Sequence, residues 1–570
     1  LALLGLLGCS GPPERIVLIT VDTLRADHVG AYGAPEGATP ILDHVARQGL
    51  RFETAISPTP LTLPSHSSLM TGLDPLEHGV HHNGSFRLPD DATTLAESLR
   101  AGGYASAAFI GALVLDRVFG LDQGFDVYDD QMRGRHAAGG GGWAERPADQ
   151  VVSAALEWLE SAPPRFFLWV HLYDPHAFYE PPPPFDERFE PYAGEIAFAD
   201  REIGRLLAKM GERFSLSDSL IVITSDHGES LGEHFEETHG LALYDATQHV
   251  PLIFAGRGVP AGRVVETPVR LVDVAPTLLA LAELPPLPET VGRDLTPWMR
   301  GGGGDPAPAY LETFATRLDL EMSPLLGLRS PRYKYVYAPE PELYDLEADP
   351  QELHNLATEQ PRVALRLEQA LLHRIDGAPP VRPNLQLDDT PRAMLESLGY
   401  VVAEPPAREI PVGSREGPDP KQARASFKRF HDAALQRQAG LPEAARATLE
   451  TTEGGGFHRA TELASAALEQ GDLAAAEQHA RSAIESHPFR AQGYFLLGES
   501  LREQGRADEA REAYAASLRL QPERGLTFLR LGEIAEREGD LERAARLYDR
   551  AAAARDPIPA AREKARALRD

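Results

Sequence analysis

Three apolar runs of the chain each lead into residues that can bind a cation or move a proton. Arg15-Ile16-Val17-Leu18-Ile19-Thr20-Val21 ends in Asp22. Phe166-Phe167-Leu168-Trp169-Val170-His171-Leu172 leads to Asp174 and His176, and Leu220-Ile221-Val222-Ile223-Thr224-Ser225 ends in Asp226-His227. His239-Gly240 follows His227 by twelve residues, and Thr62 heads the stretch Thr62-Leu63-Pro64-Ser65-His66. Carboxylates and an imidazole together hold a divalent cation, and a cation beside a hydroxyl makes that hydroxyl more acidic. A bare threonine hydroxyl is a poor nucleophile at neutral pH, so metal coordination is its route to activation.

These side chains need a scaffold that brings them together. Continuous β-branched runs of this kind are buried parallel strands. Helical patterns lie between them, for example over 94–101 and 150–161. Alternating strands and helices predict an α/β sheet, whose ligands gather at the carboxyl ends of the strands. Polar residues fall at that end three times.

Several further blocks join these residues: Thr39-Pro40-x-Leu42-Asp43, Leu69-Met70-Thr71-Gly72, His78-Gly79-Val80, Val250-Pro251-Leu252-Ile253, Leu271-Val272-Asp273-Val274-Ala275-Pro276-Thr277 and Gly292-Arg293-Asp294-Leu295. With them, residues 14–375 resemble the sulfatase and alkaline-phosphatase superfamily. The resemblance implies an α/β fold: an alkaline-phosphatase-like sheet with helices on both faces and a small C-terminal α+β subdomain. It places Thr62 at the nucleophile position and Asp22, Thr62, Asp226 and His227 around one metal. The same four places in phosphoethanolamine transferases hold Glu, Thr, Asp and His around zinc. His66 takes the place of the arginine that steadies the nucleophile. His176 and His239 fall where the family puts residues that contact the transferred anion or the leaving oxygen. Asn83 matches an asparagine that donates to a phosphoryl oxygen in phosphonate monoester hydrolases. Asp174, His176 and His239 are the alternative set for a second metal.

The departures carry equal weight. True sulfatases oxidise a Cys or Ser to formylglycine; threonine cannot follow that route, so no formylglycine is expected. Their second Asp is Thr23 here, and their Gly-Lys-Trp-His block aligns with Gly111-Ala112-Leu113-Val114, without the Lys and the His. One His among oxygen ligands suits Zn²⁺, Mn²⁺, Ca²⁺ or Mg²⁺.

At 570 residues the chain is too long for one core. Its net charge of −29 argues against nucleic acid, though not against a small anionic ester at a metal site. The one cysteine, Cys9, excludes an intramolecular disulfide. Leu6-Leu7-Gly8-Cys9 resembles a bacterial lipobox at the end of a signal peptide, so the expectation is an exported, lipid-anchored envelope protein of the periplasm or outer membrane. The stretch 305–375 resembles the sulfatase C-terminal subdomain, and Pro-rich, charged residues 377–422 read as a linker. Gly471, Gly505 and Gly539 recur every 34 residues, as do Ala476, Ala510 and Ala544. That period resembles the tetratricopeptide repeat, with an irregular helix pair ahead of it near 424–450, and such arrays bind peptides or partner proteins. The division expected is 1–13 lipobox and leader remnant, 14–300 catalytic domain, 301–376 subdomain, 377–422 linker and 423–570 helical repeats.

The reading is a metal-dependent hydrolase of phosphate or sulfate esters with Thr62 as nucleophile, phosphorus being preferred. Its alternatives are a sulfuric ester hydrolase proper, a phospho-group transferase, and a non-catalytic repeat scaffold.

Overall fold

The computed structural model describes residues 11–570 apart from 36, 133–145, 178, 235, 386–408, 439–440, 453–455, 489, 521–523, 554–557 and 570. The expected lipobox at Cys9 lies outside the described residues. Among the described residues no helix is long and apolar enough to cross a membrane.

The three apolar runs are the adjacent centre of a mixed sheet. Its strands are β1 (Arg15–Val21), β2 (Leu50–Ile56), β3 (Ala105–Phe109), β4 (Val127–Asp129), β5 (Phe166–Leu172), β6 (Ser219–Thr224), β7 (His249–Gly256), β8 (Arg263–Val265) and β9 (Val269–Arg270). The order is β4-β3-β5-β1-β6-β7-β2-β8, with β9 paired to β2. β1 is parallel to β5 and β6, and Thr20 lies opposite both His171 and Thr224. That register brings the carboxyl ends of all three strands level, which is what gathers the polar residues that follow them.

Every residue of β1, β5 and β6 is buried, because both faces of the sheet are covered. Ile16 and Leu18 face a core shared with α2 (Thr62–Thr71) and the helices 95–101 and 274–281. Val17, Ile19 and Val21 face the opposite core, with α1 (Pro40–Gln48) and the helices 148–161 and 191–213. A second, antiparallel sheet follows: β10 (Ala309–Thr313), β11 (Leu325–Arg329), β12 (Tyr333–Tyr337) and β13 (Glu342–Asp345). The helix Pro361–Arg374 follows it in the chain.

The expected linker is more structured than its composition implies. Val381 and Ile410 form a β-bridge, and both are buried with Val412 in the main core. Asp419 is buried and accepts from the Glu340 amide. The described ends of 377–422 are therefore packed against the domain, because their few apolar residues find a core to join.

The described residues beyond these are mostly helical hairpins, among them 456–469 with 473–486, 491–503 with 507–520, and 525–537 with 541–553. Gly471, Gly505 and Gly539 turn each hairpin at φ of 73°, 78° and 81°, a left-handed conformation glycine adopts without strain. The array rests on the catalytic domain: Arg490 Nη2 donates to the Leu318 carbonyl at 3.3 Å, and His487 Nε2 lies 2.5 Å from Glu321 Oε1. Within the last two of these hairpins a glycine makes room for a tyrosine ring. A Cβ on Gly498 would sit 2.5 Å from Tyr514, and one on Gly532 would sit 2.6 Å from Tyr548. Both rings are fully buried. Gly498→Ala is expected to destabilise the repeat array by about 1–3 kcal/mol through overpacking, despite alanine's better helix propensity. Denaturant unfolding followed by helical circular dichroism checks it.

Candidate active site

Thr62 is the first residue of α2, whose ten residues are all buried. Leu61 before it is extended, and Pro64 falls in the first turn, where a helix needs no amide donor. Ser65 Oγ donates to the Asp226 carbonyl at 2.7 Å and ties the helix start to the end of β6. Asn83 Oδ1 accepts from the Leu63 amide at 2.9 Å, leaving its buried Nδ2 without a partner. The helix aims its positive end, and with it the Thr62 hydroxyl, at the sheet edge.

Around that hydroxyl the structure assembles the expected set. Thr62 Oγ1 is 3.3 Å from His227 Nε2. The same nitrogen is 3.4 Å from Asp226 Oδ2 and 3.8 Å from Asp22 Oδ1. All four residues are fully buried. His227 Nδ1 donates to the Gly228 carbonyl at 3.0 Å, so Nε2 presents a lone pair. Neither oxygen of Asp22, nor Asp226 Oδ2, accepts a hydrogen bond of normal geometry. Burial, reinforced by Asp226, pushes Asp22 well above the usual carboxylate range. Burial also opposes ionisation of Asp226, but the imidazoles of His227, His66 and His171 outweigh it and hold that carboxyl low. Two sequestered carboxylates with unclaimed oxygens beside an imidazole lone pair are a fit for a divalent cation, and Asp22, Asp226 and His227 offer ligand atoms within 4.8 Å of one another.

Thr23, at the position of the missing second acid, has no part in this set. Its φ is 54°, its amide reaches Asp226 Oδ1 at 3.3 Å, and its hydroxyl donates to the Pro175 carbonyl at 2.5 Å.

His66 holds the nucleophile's backbone rather than its hydroxyl. Its Nδ1 donates to the Thr62 carbonyl at 2.8 Å, and its Nε2 accepts from Thr20 Oγ1 at 3.1 Å. Thr20 in turn accepts from Trp169 Nε1 at 3.0 Å. With both ring nitrogens engaged, His66 is not free to shuttle a proton.

His176 and His239 come together on the other side. Their ring centres are 4.9 Å apart, and His239 is 4.6 Å from His227. His176 Nδ1 donates to the Ala177 carbonyl at 2.6 Å, and its buried Nε2 is unpaired. His239 Nδ1 lies 3.0 Å from Glu229 Oε1, which leaves Nε2 as the outward nitrogen. Burial lowers His66 and His176 to about 3 and His171 and His239 to about 4, and it raises Glu229 to about 7. Asp174 faces elsewhere and accepts from the Ala148 amide at 2.8 Å.

Two participants escaped the sequence reading. Glu229 sits in Asp226-His227-Gly228-Glu229, and only its reach to His239 marks it. His171 is buried inside β5, its Nε2 3.4 Å from Asp22 Oδ2. An imidazole in an otherwise apolar strand, level with Thr20, was the available signal.

Parts of the chain match known protein families. Residues 14–284 match the Sulfatase family, and residues 235–376 match the C-terminal region of N-sulphoglucosamine sulphohydrolase. The chain carries a sulfatase-family domain. Tetratricopeptide repeats match at 461–525 and 510–561 behind the sulfatase-family domain. A Delta 4,5-hexuronate-2-O-sulfatase of Bacteroides thetaiotaomicron is 25% identical over 477 residues, spanning 72% of this chain and 99% of its own. A choline-sulfatase of Rhizobium meliloti is 38% identical over 179 residues, or 30% of this chain and 33% of its own. The phosphonate monoester hydrolase of Agrobacterium radiobacter shares the fold at a TM-score of 0.54 and 24% identity, covering 63% of this chain and 95% of that one.

Proposed function

We propose that the sulfatase-family domain hydrolyses phosphate or sulfate esters through Thr62, with phosphorus as the preferred centre. The observation that carries this reading is the buried Thr62 hydroxyl 3.3 Å from the His227 lone pair, beside Asp22 and Asp226 oxygens that accept no hydrogen bond of normal geometry. Asp22, Thr62, Asp226 and His227 would hold a divalent cation. When bound, it supplies a lowered hydroxyl pKa and charge neutralisation for the anionic ester.

The chain's own residues supply the rest. Ionised Thr62 attacks phosphorus or sulfur, and the ester oxygen departs in line, leaving the group on Thr62. His239 and Glu229 serve the leaving oxygen as a pair. When Glu229 carries a proton toward His239 Nδ1, the imidazole proton is on Nε2. His239 gives that proton to the leaving oxygen and takes the Glu229 proton at Nδ1. Water then attacks the threonine ester, His239 Nε2 takes its proton, Nδ1 returns the other to Glu229, and Thr62 is released as it began. Asn83 Nδ2, a buried donor without a partner, would donate to an oxygen of the transferred group, and His176 Nε2 would do so as an imidazolium, the form that a bound anion favours.

His239→Ala is expected to lower turnover of alkyl esters about 10²-fold. Nitrophenyl esters, whose leaving oxygen needs no proton, should still form the threonine ester in this variant, seen as a burst of nitrophenolate ahead of a slowed steady state. Comparing the two ester types in one preparation checks this. The reaction class itself is tested by matched nitrophenyl phosphate, phosphate diester, phosphonate and sulfate. Faster turnover of phosphorus esters supports the preferred centre, and faster turnover of sulfate makes the enzyme a sulfuric ester hydrolase. Acceptor-dependent turnover with little hydrolysis would make it a transferase. Anchoring through a lipid on Cys9, and partner binding by the repeats, complete the proposal. Fatty-acid labelling of the parent but not of Cys9→Ser tests the anchor.

A further inference from the structure

Among the described side chains, two imidazoles face Asp22, and one of them can serve it as a donor. His227 Nε2 is 3.8 Å from Asp22 Oδ1, but its proton is on Nδ1, given to the Gly228 carbonyl. His171 Nε2 is 3.4 Å from Asp22 Oδ2, at the outer edge of hydrogen-bond reach. Neither ring nitrogen of His171 makes a hydrogen bond of normal geometry, although the side chain is fully buried. A buried imidazole with nothing else to bond is costly unless it serves the group it faces. His66 cannot take this role, because both its nitrogens are spent on Thr62 and Thr20. Its ring packs edge-on against His171, with centres 4.9 Å apart. The hydroxyl of Thr23 is likewise committed, to the Pro175 carbonyl.

We infer that His171 is a positioning residue: it donates Nε2–H to Asp22 and holds that carboxylate in the orientation in which it binds a cation. The inference rests on the metal-site reading above. It assigns a role to β5 that the strand's apolar composition hides. The register Thr20↔His171 sets the imidazole beneath the carboxyl end of β1, level with the residue two before Asp22. Partners of this kind, which orient a ligand without touching the metal, are worth about 10–100-fold in metal affinity.

The test is equilibrium binding of Zn²⁺ and Mn²⁺ to the full chain, with chelator competition, in parent, His171→Phe, His171→Gln and Asp226→Asn. His171→Phe keeps the ring volume and loses the donor, so its affinity is expected to fall about 10–100-fold. Its metal-free melting temperature should stay near the parent's. His171→Gln keeps an N–H donor and is expected to stay within a few-fold of the parent. The Co²⁺ visible spectrum should be the same in parent and His171→Gln, since the imidazole is not itself a ligand. Parent-like affinity in His171→Phe would overturn the inference and reduce His171 to filler. A Co²⁺ spectrum that loses a nitrogen ligand in His171→Gln would overturn it in favour of direct coordination. Failure of the underlying reading looks different: the parent binds no metal, or Asp226→Asn binds it as tightly as the parent.

Discussion

Thr62→Ala is expected to lose ester hydrolysis by on the order of 10⁴-fold or more, because removing a covalent nucleophile removes the pathway and not one contact within it. The fold should survive. Thr62 is the first residue of α2, its side chain caps no amide, and the helix start is held by Asn83 and Ser65. Alanine also suits a helix better than threonine. Thr62→Ser restores a hydroxyl at the same place and is expected to recover a large share of the activity. Steady-state rates on the best nitrophenyl ester, with circular dichroism of each variant, make the check. Full activity in Thr62→Ala would transfer the nucleophile's role to water.

The second large effect is on stability. Lys334 is fully buried in β12, where its ammonium meets Asp245 at 2.5 Å, Glu352 at 2.7 Å and the Leu243 carbonyl at 3.0 Å. Arg329 supports Asp245 from the other side at 3.0 Å. The cluster joins the small sheet to the loop and helix ahead of β7. Burial raises Glu352 to about 7, whereas Asp245 is held well below its usual range by Arg329 and Lys334 despite its burial. Lys334→Met is expected to destabilise the catalytic region by about 3–5 kcal/mol, since it strands buried Glu352 without its cation and leaves Asp245 with Arg329 alone. Adding Glu352→Gln removes one stranded charge and should recover part of the loss. Denaturant unfolding of the single and double variants measures both. Equal stability of Lys334→Met and the parent would show that the cluster holds nothing together.

The central sheet was legible because β1, β5 and β6 are uninterrupted apolar runs with a polar residue at one end, a pattern that a doubly covered sheet alone requires. Thr62, Asp22 and Asp226 each lie within 4 Å of His227 Nε2, and the His239 and His176 rings follow at 4.6 and 4.9 Å. What the sequence concealed depends on register and on hydrogen-bond direction. His171 reads as one more strand residue until the pairing of β1 with β5 sets it beside Asp22. His66 reads as a partner of the nucleophile, and only its bonds to the Thr62 carbonyl and to Thr20 show which atom it holds. The 34-residue period made the repeats plain, but nothing in it foretold that Arg490 and His487 would meet the segment 315–321. Contacts between distant segments leave no local signature in composition.

The most direct test of a threonine nucleophile is the stereochemical course at the transferred centre, using an ester made chiral with oxygen isotopes. Two successive in-line displacements, through Thr62 and then water, predict net retention of configuration. Net inversion would mean a single displacement by water and would contradict the account.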